Sequence, residues 1–507
     1  MKKFYITTPL YYINDKPHVG HAYTCVVADT LSRYRKLKGD EVFFLTGSDE
    51  HGEKIQNEAA KRKVEPQILA DEMVVAYKKL WSSLYISYDD FIRTTELRHV
   101  DVVQKIFKKL IDSGDIYKGK YSGWYCVPCE SFWTSTQLQG KTCPDCGRQT
   151  HEIEEDGYFF KMSKYQDKLL RHCQENPDFI NPVSRRNEVM SFIKEGLRDL
   201  CVTRRKLSWG IGVPQDPEFT IYVWFDALVN YISAIGYLSE EKDFYSIWPC
   251  NVHFLAKDIL KFHAVIWPSL LFALNIPLPD KIFAHGWWLM DDKKMSKSVG
   301  NVFDPNILIE KYSADALRYF LLREIPLGLD GNFSIANFEK RFNSDLANDL
   351  GNLLNRTISM LEKYFSLEVP ECAEKREIDV KVEELAKECC IKYERSMDSI
   401  DFSCALEMTW QLISAANKYI EETQPWKLSK EASPFLKNVM YTLMEALRII
   451  SILIFPFMPE KAKEIWHQIG QDSKLDEKKL SDLEWGLTGI KTKAFKGNPI
   501  FPRIDKE

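Results

Sequence analysis

The fold can be predicted from residues 3–47, which run KFYITTPLYYINDKPHVGHAYTCVVADTLSRYRKLKGDEVFFLTG. Lys3–Thr8 is rich in β-branched and aromatic residues, which predicts a buried strand. From His21 to Lys38 the apolar residues recur at helical spacing, and Glu41–Leu45 is a second buried strand. A strand, a helix and a strand in this order are typical of the opening of a parallel α/β sheet.

The alternation of strands and helices resumes later in the chain. We predict strands at Thr220–Phe225, His253–Ala256 and Ile282–Gly286, which would form the second half of the same sheet. Between the halves, paired cysteines and many aromatic residues indicate an insertion. From Ala336 to His467 helical periodicity dominates, which predicts an all-α helical bundle.

These patterns divide the 507 residues into five parts. The predicted boundaries are 1–115 and 216–325 for the two halves of the sheet domain, 116–215 for the insertion, 326–480 for the bundle, and 481–507 for a tail that packs back on the body.

The composition is that of a globular protein, with 45% apolar residues, 28% charged residues and a net charge of -5. The charge neither supports nor excludes a nucleic-acid partner, because basic residues can concentrate on one face. The apolar run near the N-terminus lacks a small-residue cleavage site, so we predict no signal peptide. Val265–Pro279 and Ala446–Pro459 are too short to span a bilayer, so we predict no membrane segment.

Four of the twelve cysteines form two pairs, Cys126-x-x-Cys129 and Cys143-x-x-Cys146. Four thiolates at this spacing predict one tetrahedral zinc site, and its role would be structural because no ligand position stays open. Free buried cysteines would explain the pairing poorly. The other eight cysteines form no disulfide framework, and in a chain without an export signal they favour a cytoplasmic location.

A first candidate phosphate site is Pro17-His18-Val19-Gly20-His21, which opens the first predicted helix. The N–H groups and partial positive charge of a helix N-terminus suit phosphate. Gly20 lets a flat base approach the backbone, and the imidazoles can donate hydrogen bonds to phosphate oxygens. The same residues are equally compatible with two helix-capping histidines.

A second candidate site is Lys294-Met295-Ser296-Lys297-Ser298, in a predicted loop after the strand Ile282–Gly286. Two lysines near one point can neutralise a departing pyrophosphate, although a solvated basic loop is the commoner use of such a pair. The four-residue core also occurs at Lys161-Met162-Ser163-Lys164, where a helical run follows at once. We therefore assign that copy to the start of an amphipathic helix.

The two motifs, placed on the two halves of one sheet, resemble those of the class I aminoacyl-tRNA synthetases. The resemblance implies a Rossmann-like parallel-sheet catalytic domain, split by a zinc-containing insertion and followed by an anticodon-binding bundle. It also implies that ATP binds with Mg²⁺ and that an amino-acid carboxylate attacks its α-phosphorus. The implied catalytic residues are His18, His21, Lys294 and Lys297, and the implied ATP site adds Gly20, Ser296 and Ser298.

Four further segments narrow the resemblance to the methionyl-tRNA synthetases, namely residues 7–14, 47–52, 222–228 and 257–267. The substrates implied are L-methionine, ATP and tRNA(Met). The resemblance implies that Leu10 and Asp49 hold the amino group of methionine. The side-chain pocket would consist of Tyr12, Trp224, Ala227, Tyr231, Ile259, His263 and Trp267. Aromatic edges suit the thioether of methionine. Taken one at a time, however, most of these residues are more often found in a hydrophobic core than in a ligand pocket.

Two segments of the predicted bundle resemble the anticodon contacts of the same family. Asn352 and Arg356, one helical turn apart, could hydrogen-bond an unpaired base, and Trp426 could stack on it. A core tryptophan and a surface arginine are the alternative.

Other functions remain possible at this point. A class I synthetase for leucine, isoleucine or valine would share both nucleotide motifs, but those enzymes usually carry a larger inserted editing domain. A tRNA-binding protein without activity would not need His18, His21, Lys294 and Lys297, and a zinc-knuckle nucleic-acid module leaves both motifs unexplained. The resemblance also predicts a monomer, because the C-terminal module that dimerises some members is missing from these 507 residues.

Overall fold

The computed structural model describes residues 3–504 except 134, 136, 137, 139, 206, 240–242, 291, 292, 295–303 and 373, and it describes only the backbone of 293 and 294. Two compact units make up the chain. The first consists of Met1–Ala28, Glu41–Ser82 and Ser87–Gly286. The second consists of Asp29–Asp40, Ser83–Ile86 and Trp287–Glu507.

The first unit contains both strands and helices. The strands are β1 (Phe4–Thr7), β2 (Tyr11–Tyr12), β3 (Val42–Asp49), β4 (Asp90–Arg93), β5 (Ile116–Cys126), β6 (Ser131–Trp133), β7 (His151–Phe160), β8 (Ile180–Asn181), β9 (Leu200–Cys201), β10 (Thr203–Arg204), β11 (Gly212–Val213), β12 (Asp216–Ile221), β13 (Val252–Ala256) and β14 (Ile282–His285). The helices are α1 (Val19–Leu37), which continues into the second unit, α2 (Glu53–Arg62), α3 (Pro66–Ser83), α4 (Leu97–Asp112), α5 (Gln166–Glu175), α6 (Val183–Lys194), α7 (Val223–Leu228), α8 (Asn230–Ser233) and α9 (Trp267–Leu274).

A seven-stranded sheet forms the centre of this unit, in the order β2-β3-β1-β13-β14-β8, with β4 also paired to β3. All of its pairs are parallel. Gly47 allows β3 and β4 to approach, because a Cβ there would lie 2.0 Å from the main-chain oxygen of Ile92. The α/β prediction is confirmed. Edge strand β8 comes from within the predicted insertion, which the sequence did not indicate.

One predicted strand is wrong. Thr220–Phe225 was expected to join the parallel sheet, but β12 ends at Ile221 and pairs antiparallel with β10 and β11 in a separate small sheet. Val223 then begins helix α7, so Trp224 lies on a helix. The physical reason is that a short, continuously apolar run has no period that distinguishes a buried strand from a buried helix.

The cysteine-bearing part of the first unit is a four-stranded antiparallel sheet in the order β6-β5-β7-β9. The second copy of the lysine motif forms a 3-10 turn at Met162–Tyr165, followed directly by α5. Its Lys164 pairs with Asp115 at 2.7 Å. The prediction that this copy begins a helix is confirmed.

The second unit is mainly helical. Its strands are β15 (Trp288–Met290), β16 (Lys293–Lys294) and β17 (Gly331–Asn332). Its helices are α10 (Pro305–Lys311), α11 (Ala314–Arg323), α12 (Ile335–Arg341), a π-helical segment (Phe342–Gly351), α13 (Asn352–Phe365), α14 (Glu377–Asp398), α15 (Phe402–Thr423), α16 (Pro425–Lys430), α17 (Phe435–Ile454) and α18 (Pro459–Gln468). The predicted bundle is thereby confirmed.

Buried polar anchors hold the second unit together. The guanidinium of Arg318 is fully buried, lies 2.7 Å from the Asp29 carboxylate, and donates to the main-chain oxygens of Pro456 and Phe457. Near the C-terminus, the buried Phe501 meets the Phe342 ring edge-on at 5.7 Å. Within the described residues, no helix has the length and apolar character that crossing a membrane requires.

Candidate active site and metal centre

Several predicted substrate residues lie at or just after the carboxyl ends of the central parallel strands, whereas Trp224, Ala227 and Tyr231 follow β12 of the small antiparallel sheet. Strand β1 ends at Thr7, β3 at Asp49 and β13 at Ala256. Because parallel strands end at the same edge of a sheet, this edge is where α/β proteins bind their ligands. Leu10 and Tyr12 follow β1, and the remaining pocket residues follow β12 and β13.

His18 and His21 stack their rings at the start of α1, with centroids 3.8 Å apart. Nδ1 of His18 accepts the Gly20 N–H at 3.1 Å, and Nδ1 of His21 accepts the His18 N–H at 3.2 Å. In each neutral ring the proton therefore sits on Nε2, which makes that nitrogen a donor. A Cβ on Gly20 would lie 3.0 Å from His18 Cε1, so a larger residue would disturb the stack.

Asp49 ends β3 as a buried carboxylate with 6% of its surface exposed. Burial, the neighbouring Asp226 and Glu130 together raise its pKa well above the usual carboxyl value. Its Oδ1 atom has no hydrogen-bond partner in the described part of the chain. A buried carboxylate with an open oxygen is suited to bind a cationic group.

Aromatic side chains from three segments form a cluster beside this sheet edge. The centroid of the Tyr231 ring lies 5.7 Å from that of Trp267 and 4.3 Å from that of His253. Trp224 stacks on Phe262 with ring centroids 3.7 Å apart and meets His263 edge-on at 6.4 Å. Among the described residues, the Trp224 indole N–H has no acceptor. The cluster thus offers mainly ring faces and edges, which suit a polarizable apolar ligand.

Two buried histidines of the cluster are neutral, and their tautomers follow from their partners. Nδ1 of His263 donates to the main-chain oxygen of Ile259 at 2.9 Å, so its Nε2 accepts the Tyr231 hydroxyl at 2.7 Å. Nε2 of His253 accepts the Trp267 indole N–H at 3.3 Å. Burial lowers the pKa of His263 to about 4 and that of His253 well below its usual value.

The other predicted pocket residues lie in the same unit. Leu10, Tyr12 and Ile259 are partly buried against the core that contains Tyr231 and Trp267. Ala227 is buried on α7. All the predicted pocket residues thus lie in the first unit.

The four paired cysteines meet at one point. Their Sγ atoms all lie within 4.8 Å of one another, with 3.6 Å between Cys126 and Cys146 and 4.0 Å between Cys129 and Cys143. Four sulfurs around one zinc ion at tetrahedral Zn–S bonds would be about 3.8 Å apart. The donor set and its spacing therefore fit a metal ion.

The lysine motif is described only at its beginning. The backbone of Lys294 lies in β16, which pairs antiparallel with β15. Ser296, Lys297 and Ser298 lie outside the described residues, as does the side chain of Lys294.

Two helices carry the predicted anticodon residues. Asn352 and Arg356 lie one turn apart on α13, and Arg356 pairs with Glu421 at 2.6 Å. Trp426 lies on α16 with 39% of its surface exposed. Its exposure excludes the alternative of a core tryptophan.

Sequence reasoning missed three residues of the site. Phe262 supports Trp224 from a π-helical turn, Phe262–Ile266, and no periodicity indicates such a turn. His253 could have been noticed as a histidine inside a buried strand, which must find hydrogen-bond partners. Glu130 follows directly after Cys129, and its carboxylate accepts the Tyr12 hydroxyl at 3.1 Å.

Comparisons with known proteins agree over nearly the whole chain. The family profile described as "tRNA synthetases class I (M)" matches residues 4–155 and 148–358, and "Anticodon-binding domain of tRNA ligase" matches 379–493. Methionine–tRNA ligase of Caldanaerobacter subterraneus subsp. tengcongensis is 52% identical over 100% of this chain and 80% of its own length. That of Clostridium tetani is 50% identical over 100% of this chain and 79% of its own length.

Solved structures give the same result. Mycobacterium tuberculosis methionyl-tRNA synthetase in complex with methionyl-adenylate superposes with a TM-score of 0.94 at 39% identity, over 99% of this chain and all of that one. Its apo form gives 0.88 at 36% identity, over 100% and 99%. The matches to both family profiles and to these relatives confirm the resemblance: the chain belongs to the methionyl-tRNA synthetase family of class I tRNA synthetases.

Proposed function

We propose that the chain is an ATP-dependent ligase that attaches methionine to tRNA in two steps. In the first, the methionine carboxylate attacks the α-phosphorus of ATP and pyrophosphate leaves, giving methionyl-adenylate. In the second, a hydroxyl at the 3′ end of the tRNA attacks the activated carbonyl and AMP leaves. Such chemistry depends mainly on positioning the reactants and stabilising charge.

The observation that carries the proposal is Asp49. Its buried carboxylate, with one oxygen open, is complementary to the ammonium group of an amino acid. We assign the amino-group contact to Asp49 and Leu10. The side-chain pocket is assigned to Tyr12, Trp224, Ala227, Tyr231, Ile259, His263 and Trp267, and the neutral state of His263 supports an uncharged ligand there.

We assign the ATP phosphates to His18 and His21, because their Nε2–H groups are donors at a helix N-terminus. We assign Gly20 to the same ATP site, because its lack of a side chain allows the His18 ring to pack beside the helix N-terminus. Lys294, Ser296, Lys297 and Ser298 complete the proposed ATP site, with the two lysines binding the β and γ phosphates. The Mg²⁺ that accompanies ATP would neutralise part of their charge.

We propose that the metal at Cys126, Cys129, Cys143 and Cys146 is zinc. Four thiolates complete a tetrahedral shell, so the ion would hold the two cysteine pairs together and take no part in the reaction.

We further propose that Asn352, Arg356 and Trp426 bind the anticodon of tRNA(Met). The exposed indole and the polar groups one turn apart on α13 support this assignment. The division at 115/116, 215/216, 325/326 and 480/481 also stays a proposal, as do a monomeric state and a cytoplasmic location. Light scattering of the purified chain would test the monomer.

The proposal is tested by exchange of labelled pyrophosphate into ATP. Exchange should be fast with methionine and weak with leucine, isoleucine and valine, since the proposed pocket favours the methionine side chain. Exchange with leucine or isoleucine but not with methionine would refute the proposed specificity. No exchange with any amino acid would refute the activity.

A further inference from the structure

Cys126 and Cys129 lie on one turn, the metal turn, which holds two of the four proposed zinc ligands. Glu130 connects this turn to the proposed methionine pocket. It follows Cys129 directly, at the end of the 3-10 turn Val127–Cys129, with a left-handed φ of 51° and 5% of its surface exposed. A non-glycine residue adopts this backbone conformation only when its surroundings hold it there.

Both oxygens of the Glu130 carboxylate accept hydrogen bonds. Oε1 accepts the Tyr12 hydroxyl at 3.1 Å and the main-chain N–H of Lys54 at 3.2 Å. Oε2 accepts the Tyr125 hydroxyl, and the main-chain oxygen of Glu130 accepts the Tyr222 hydroxyl. One residue therefore bonds to β2, to the first turn of α2, to β5 and to the segment before α7.

There is no spare room around the Tyr12–Glu130 hydrogen bond. Gly52 has a φ of 107°, and a Cβ there would lie 2.5 Å from the Tyr12 hydroxyl and 3.1 Å from Glu130 Oε1. The Lys54 ammonium lies 5.1 Å from the centre of the Tyr12 ring. The segment Gly52–Lys54 directly follows Asp49–His51, so the same contacts hold the chain next to the proposed amino-group ligand.

We propose that Glu130 is a positioning residue for methionine binding, which transmits the geometry of the metal-held turn to Tyr12 and to the N-terminus of α2. The inference rests on the proposed function, because it assumes that Tyr12 lines the methionine pocket. Glu130 acts through Tyr12 and the Lys54 main chain, and it does not contact the reacting atoms.

The first test compares Glu130→Ala with Glu130→Gln by calorimetric titration of methionine into the metal-loaded protein. Alanine leaves the buried Tyr12 hydroxyl and Lys54 N–H without an acceptor, and methionine binding should weaken about tenfold. Glutamine keeps an acceptor oxygen and should bind within about threefold of the parent chain. Glu152→Ala removes an exposed acid of β7, in the sheet whose strands β5 and β6 flank Glu130, and should change nothing.

Two further readouts separate positioning from a general loss of structure. Glu130→Ala should still contain one metal ion per chain. In a Tyr12→Phe background it should cause a smaller loss of methionine affinity than in the parent chain, because one of the two groups through which Glu130 acts is already absent. Removing the metal with a chelator should likewise weaken methionine binding more in the parent chain than in Tyr12→Phe. This comparison tests the inference even if Glu130→Ala does not fold.

Unchanged methionine affinity in Glu130→Ala would overturn the inference, as would equal losses on chelation in the parent and Tyr12→Phe chains. If glutamine fails as completely as alanine, hydrogen-bond acceptance by Glu130 is not the cause and the inference also falls. A parent chain that binds no methionine would contradict the proposed function instead.

Discussion

Asp49 shows how burial prepares a single carboxylate for a cation. Its neighbours Asp226 and Glu130 add negative potential, and burial removes the water that would stabilise its charge. A bound ammonium would supply the missing partner and lower the pKa of Asp49 again. Methionine binding should therefore weaken as the pH falls and Asp49 is protonated.

We expect Asp49→Asn to raise the KM for methionine about a hundredfold, because a buried charge-assisted contact is lost. The KM for ATP should change little. Pyrophosphate exchange measures both constants, and Asp101→Asn, which removes an exposed acid on α4, is the matched control. An unchanged methionine KM would show that Asp49 does not hold the amino group.

The buried histidines give a prediction about pH. Burial lowers the pKa of His263 and of His285 from 6.5 to about 4 in the folded chain. Each contributes stability that is present above pH 6.5 and is lost as the pH falls towards 4, up to about 3 kcal/mol per residue. The melting temperature should therefore fall between pH 6.5 and 4, and less steeply in His263→Gln. The same slope in both chains would refute a neutral, buried His263.

At the scale of elements, the four-cysteine cluster was the easiest feature to predict. Cysteine spacing reports ligand geometry directly, because two short loops can bring four thiolates to one ion with little help from the rest of the fold. Helix α7 was the opposite case. Its apolar run was assigned to a strand, since packing against the core decides its conformation and sequence period does not.

We expect Cys143→Ser to lose the metal and to loosen the sheet β6-β5-β7-β9, because metal binding contributes directly to folding. Elemental analysis should find one zinc per chain in the parent and none in the variant. Cys173→Ser alters a buried cysteine on α5, outside the cluster, and should retain the zinc. A parent chain that is folded without metal would contradict the structural role.

At the scale of the whole molecule, the proposed amino-acid site lies in the first unit and the proposed anticodon residues lie in the second. Activation of methionine and binding of the anticodon should therefore be separable by mutation. Trp426→Ala should lower kcat/KM for tRNA by about 10- to 100-fold through lost base stacking, and it should leave methionine-dependent pyrophosphate exchange unchanged.

Phe495→Ala, at another exposed aromatic of the second unit, is the control for Trp426→Ala. If both variants charge tRNA as well as the parent chain, Trp426 does not read the anticodon.

Much of the proposed site could be named from the sequence because its residues occur in short motifs next to predicted strand ends, as with His18, Asp49 and His263. Three contributions were not predictable. Glu130 and Phe262 act through neighbours that only the fold brings together, and edge strand β8 comes from within the predicted insertion. Long-range pairing of this kind has no local signal in a single sequence.

The central claim is that the chain joins methionine to tRNA, and aminoacylation tests it most directly. Purified chain, ATP and Mg²⁺ would be incubated with tRNA(Met) and each of methionine, leucine, isoleucine and valine, and the ester on the tRNA would be measured. The account predicts that methionine is esterified efficiently and the other three are not. Esterification of leucine, isoleucine or valine in place of methionine would contradict it.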